Sequence, residues 1–88
     1  MSSEQFASDV RRITEAIGNM LIEKNRAYGN SALSPVRIFS SADRTESLLI
    51  RIDDKLSRIS RGTEFPGEDT IDDLIGYLIL LKIARASE

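Results

Sequence analysis

Residues 70–86 read TIDDLIGYLILLKIARA, and this stretch decides the fold. Its apolar residues Ile71, Leu74, Ile75, Leu78, Ile79, Leu81 and Ile83 recur at helical steps but spread over more than one face. A helix of that kind has to be covered on several sides, more than the rest of one small chain provides. The expected fold class is therefore all-α: a three-helix unit of two long helices and an apolar third, assembling into a helical-bundle homo-oligomer. Asp69 or Thr70 caps this third helix, which runs to about Ala86. Gly76 in its middle costs roughly 1 kcal/mol relative to alanine, which points to close approach by another helix or a ligand.

Upstream, Thr63-Glu64-Phe65-Pro66-Gly67 forms a turn, and Gly62 ends a second helix over about 44–61. Asp43 or Thr45 caps that helix, and Leu48, Leu49, Ile52, Leu56 and Ile59 form its apolar stripe. Residues 32–42 contain Pro35 and several serines, which predicts a loop with one helical turn at Val36 to Phe39. Before it, Phe6, Val10, Ile13, Ile17, Met20 and Leu21 follow the period of one helix face, predicting a first helix over about 3–27. Tyr28-Gly29-Asn30-Ser31 closes it, because Gly and Asn adopt left-handed backbone angles readily. The 88 residues are expected to make one domain, 1–88.

Composition narrows the chemistry. With 41% apolar and 30% charged residues the chain is expected to fold, and its longest apolar run is far short of the roughly 20 residues that span a bilayer. No membrane association is expected, and the polar start Met1 to Phe6 carries no secretory pattern, so the expected location is the cytoplasm. Cysteine and histidine are both absent, which removes disulfides, ordinary zinc sites and Cys or His catalysis. A net charge of −2 with mixed signs argues against long nucleic acid as a partner and leaves small anions open.

Three constellations remain. Arg51, Asp54, Lys55 and Arg58 lie at i, i+3, i+4 and i+7, one strip beside the apolar stripe, where Arg and Lys suit phosphate oxygens. The same strip also reads as a solvated face with internal ion pairs. Asp69, Asp72 and Asp73 crowd the first turn of the third helix, with Tyr77 one turn further on. Acidic first turns favour the helix dipole in any protein, and an i, i+3 aspartate pair also supplies hard oxygen ligands to Mg²⁺. Lys24, Arg26, Tyr28, Asn30 and Ser31 gather a cation, an aromatic ring and short polar groups beside a glycine. That set suits base stacking and phosphate approach, or simply a basic helix C-terminus.

Taken together, KNRAYGNSAL, RIDDKLSRI and GEDTIDDLIGYLIL resemble the small phage family called the nucleotide modification associated domain, over about Glu23 to Leu81. That family is in turn similar to the MazG-like all-α nucleotide pyrophosphohydrolases, helical oligomers that use carboxylate-bound Mg²⁺ to cleave nucleoside triphosphates to monophosphate and pyrophosphate. The resemblance implies a phage or prophage origin, hence the host cytoplasm. It matches Asp69 and Asp72 to the acidic pair of the last metal-binding helix. Where the larger group carries two glutamates at i, i+3, this chain has Arg51 and Asp54, an exchange that weakens a multi-metal site and strengthens a phosphate clamp.

The first expectation from the resemblance is a Mg²⁺-dependent nucleoside triphosphate pyrophosphohydrolase-like enzyme. In it Asp54, Asp69 and Asp72 hold the metal, Asp73 or Glu68 positions water, and Lys24, Arg51, Lys55 and Arg58 hold phosphates beside Tyr28, Asn30 and Tyr77. The alternative is a binder without chemistry that sequesters a nucleotide or cyclic oligonucleotide from a host defence. The third is a helical interaction module whose charged stripes pair across an oligomer interface.

Overall fold

The computed structural model describes residues 1–35 and 43–87. Among the described residues there are helices and turns but no strand: α1 Ser3–Ala27, α2 Arg44–Arg61 and α3 Thr70–Ala86. The helical turn expected at Val36 to Phe39 lies outside the described residues.

Each helix starts on a side-chain cap. Ser2 Oγ accepts from the Gln5 N–H at 3.0 Å, Asp43 Oδ1 from Glu46 at 2.8 Å and Asp69 Oδ1 from Asp72 at 3.1 Å. Two helices end alike. At α2 the N–H groups of Gly62 and Thr63 donate to Ile59 O and Arg58 O, and at α1 those of Gly29 and Asn30 donate to Arg26 O and Asn25 O. Both are closures that need a left-handed residue, and Gly62 and Gly29 supply it at φ 65° and 61°.

α2 and α3 form an antiparallel hairpin tied at both ends. At the open end Arg44 Nη2 donates to Ala84 O (3.3 Å) and Ser87 Oγ (2.6 Å); near the turn Arg58 Nη1 donates to Glu68 Oε2 (3.0 Å). Leu48, Leu80 and Ala84 are the buried centre, with Leu21, Ala32, Leu33 and Tyr77 packed on it. α1 joins through its C-terminal half, where Ile17 is its one buried residue. No helix among the described residues is long and apolar enough to cross a membrane.

The buried faces differ in detail from the apolar stripes. On α3 the residues turned inward are Thr70, Gly76, Leu80 and Ala84, whereas Ile71, Leu78 and Ile83 face out. On α2 the inward set is Leu48, Ile52 and Lys55, while Leu49, Leu56 and Ile59 are exposed. On α1 Phe6, Val10 and Ile13 are uncovered, Phe6 at 61% exposure. The physical reason is packing geometry: α2 and α3 spend their mutual contact on one narrow seam, and Ile71, Leu78, Ile83, Leu49, Leu56 and Ile59 stay exposed outside it.

Gly76 is buried, and Leu21 of α1 is the approaching group, yet a Cβ built there would meet Leu21 Cδ1 at an ordinary 3.6 Å. The space accepts a methyl group. Gly76→Ala is expected to raise stability by about 0.5–1 kcal/mol in urea unfolding, since mid-helix glycine carries an entropic cost of that size. A loss of stability would show that something absent from the isolated chain approaches closer than Leu21 does.

Candidate functional site

The C-terminal half of α1, the hairpin and residues 31–35 enclose an open cleft of about 560 Å³. Helical spacing selects its walls. α1 contributes Met20, Leu21, Lys24, Asn25 and Tyr28, successive positions of one face. α2 contributes Leu48, Arg51, Asp54, Lys55 and Arg58, and α3 adds Asp73, Gly76 and Tyr77. Glu68 enters from the turn before α3.

Ten residues singled out in the sequence therefore meet in one place: Lys24, Tyr28, Ser31, Arg51, Asp54, Lys55, Arg58, Glu68, Asp73 and Tyr77. Four do not, the first being Arg26, which is exposed and pairs with Glu23. Asn30 is an exposed turn residue at φ 62°, Asp69 is spent on capping α3, and Asp72 does not line the cleft. Asp54 is thus separated in role from Asp69 and Asp72, and among the described residues no group of three carboxylates is placed to hold a metal. The structure does not bring Asp54, Asp69 and Asp72 together in the cleft.

The electrostatics are those of a cation-lined cleft with every carboxylate already engaged. Asp73 lies between two ammonium groups, Lys55 Nζ at 3.4 Å from Oδ2 and Lys24 Nζ at 3.5 Å from Oδ1. Arg58 spans Asp54 at 3.3 Å and Glu68 at 3.0 Å. Arg51 is exposed and carries no ion pair among the described residues. Four cations face three carboxylates.

Lys55 is the unusual member, because only 8% of the residue is exposed. An ammonium has three donors, and removing one from water is costly unless partners replace the hydration. Asp73 is its one ion-pair partner among the described residues, at a long 3.4 Å. Lys55 stands three residues after Ile52 and seven after Leu48, the steps of one helix face, which places it on the buried seam and not in a strip beside it. Asn25 was missed altogether, although it stands four residues after Leu21 and three before Tyr28, on the same face.

Comparison of the chain with protein-family models, with curated proteins and with solved structures finds no match. The functional reading accordingly rests on the chemistry of the cleft.

If Asp73 is the counter-charge that keeps Lys55 buried, Asp73→Asn should lower stability by about 3 kcal/mol in urea unfolding, by leaving a desolvated ammonium uncompensated. Adding Lys55→Met should recover most of that loss. Equal instability of the single and double variants would mean that the charge pair is not the cause.

Proposed function

We propose that this chain binds a nucleotide, linear or cyclic, through its phosphates in the cleft between the three helices. The observation that carries the reading is Lys55, a residue only 8% exposed that lines the cleft with Asp73 as its one ion-pair partner among the described residues, set among Lys24, Arg51 and Arg58. A phosphate chain supplies acceptor oxygens and negative charge to all of them, Arg as a planar fork and Lys as a point charge. Tyr28, whose ring is largely exposed, and Tyr77 on the opposite wall offer aromatic surface for a base. The resemblance to the nucleotide modification associated domain supports the same ligand class.

Mg²⁺-dependent pyrophosphohydrolysis is the second reading, favoured by Asp54, Glu68 and Asp73 lining the same cleft as the cations. Against it stands their pairing: each already faces Arg or Lys. Binding without turnover is the better supported function.

The deciding experiment incubates the protein with nucleoside triphosphates and cyclic oligonucleotides plus Mg²⁺, separates bound from free, and identifies both by chromatography. The expected result is an unaltered nucleotide released from the heated protein. Pyrophosphate in the free pool would establish the hydrolase, and an empty bound fraction would reject both readings. Lys55→Met and Arg51→Ala should each weaken retention about tenfold or more, the worth of one charge-assisted contact.

We also propose that the working form is a homo-oligomer that covers Phe6, Val10 and Ile13 on α1. The chain exposes 6726 Å², against about 5,200 Å² for a typical folded monomer of its mass. The difference exceeds the roughly 800 Å² that one partner gives to a standard interface. Light scattering after gel filtration should give a multiple of 9.8 kDa, and Val10→Glu with Ile13→Glu should reduce it; a monomer in the native chain would end this reading.

A further inference from the structure

We infer that Asn25 is the residue that reads the base, so that the cleft discriminates among nucleotides and does not merely collect phosphate. The inference rests on the phosphate-binding reading above. Asn25 lines the cleft, and its Oδ1 is buried without a hydrogen-bond partner. Buried polar atoms are nearly always paired, so an orphan in a residue that lines a cleft marks a missing partner, one that the amide would meet by turning, since the oxygen as it stands is closed to water. The other such atom among the described residues, Thr70 Oγ1, belongs to a residue that does not line the cleft.

The missing partner has to be a donor, since a side-chain carbonyl oxygen only accepts. A phosphate oxygen ionised at neutral pH cannot serve. Within a nucleotide the donors are base N–H groups and sugar hydroxyls. The neighbouring wall distinguishes them: Tyr28 lies three residues on, on the same face of α1, and presents an open ring for stacking a planar group. Lys24, between Leu21 and Tyr28 on that face, meanwhile reaches Asp73 and the cationic end of the cleft. One turn of α1 thus carries a phosphate-directed group, an amide and an aromatic ring.

An amide holds its acceptor and its donors side by side in one plane. It therefore matches a base edge on which an N–H stands next to an acceptor, as when Asn recognises adenine; every base has such an edge at a different place on its ring, so with the ring stacked and the phosphates held, position selects the base whose edge meets Asn25. The terminal torsion of Asn is broad, so the amide turns its acceptor onto a ligand without leaving its rotamer. The ligand class is a nucleobase with such an edge, stacked at Tyr28, with its phosphates toward Lys24 and Lys55.

The test measures calorimetric affinities for ATP, CTP, GTP, UTP and inorganic tripolyphosphate with the native protein, Asn25→Leu and Asn25→Ala. Leucine keeps the volume and removes the orphan, so that variant folds at least as well even where alanine does not. The expected native result is one nucleotide bound at least tenfold better than the others. Asn25→Leu should lose that preference while its tripolyphosphate affinity stays within twofold. An unchanged preference, an equal loss for tripolyphosphate, or no preference in the native protein would each overturn the role of Asn25. Failure of the native protein to bind tripolyphosphate and all four nucleotides would instead overturn the phosphate-binding reading beneath it.

Discussion

A lysine drawn into a buried seam requires a counter-charge, and in this chain that requirement joins all three helices. Asp73 of α3 holds Lys55 of α2 at 3.4 Å and Lys24 of α1 at 3.5 Å. With Leu21 set against Gly76 one turn further along α3, this is where α1 is fixed to the hairpin. The cleft exists because α1 is held there: its cationic wall on α2 and its aromatic wall on α1 face each other across Asp73. Exposed ion pairs contribute little to stability, but a pair in which one partner is nine-tenths buried sets which arrangements are allowed at all.

Such a constraint matters more because the apolar core is small. Its buried centre is Leu48, Leu80 and Ala84, with Ile17 and Ile52 nearby. α1 is 25 residues long, yet only its second half meets the hairpin. The first half carries Phe6, Val10 and Ile13 exposed on one face. A helix of about 37 Å is not held in water by propensity alone over its unpacked part. Coverage of that row by other copies would supply what the hairpin does not, and it would leave the cleft on the opposite, C-terminal half of the helix.

Helix boundaries were legible in the sequence because they depend on local chemistry. Asp43 and Asp69 accept from the first-turn amides, and Gly62, Gly29 and Asn30 take the left-handed angles that end α2 and α1. Within each helix the spacing was legible too, Lys24 with Tyr28 and Arg51 with Lys55 and Arg58, but helical steps say nothing of how the three helices bring these sets to one cleft. What could not be read was orientation. α3 is apolar around its axis, so periodicity selects no face, and the buried Leu80 and Ala84 look no different in sequence from the exposed Leu78 and Ile83. The aspartates failed for a related reason: Asp69, Asp72 and Asp73 are neighbours in sequence, but the helix turns only Asp73 into the cleft while Asp69 is consumed by the cap. Asn25 carries no charge and belongs to no periodic apolar set, so only its orphaned oxygen reveals it.

The pairing pattern also decides how an anion would enter. Arg58 uses two guanidinium nitrogens on Asp54 and Glu68, so a phosphate meeting it has to compete with carboxylates already in place. Lys24 and Lys55 share one carboxylate, which leaves an excess positive charge at Asp73 that an arriving phosphate adds to without displacing anything. Arg51 is exposed and carries no ion pair among the described residues, so it would be the first cation that an anion meets. Such an anion would reach Lys55 next, with Asp73 remaining in place as the group that keeps the two lysines together. In a cleft so arranged the carboxylates hold cations in position, and that is why a chain with net charge −2 lines its cleft with four cations against three carboxylates.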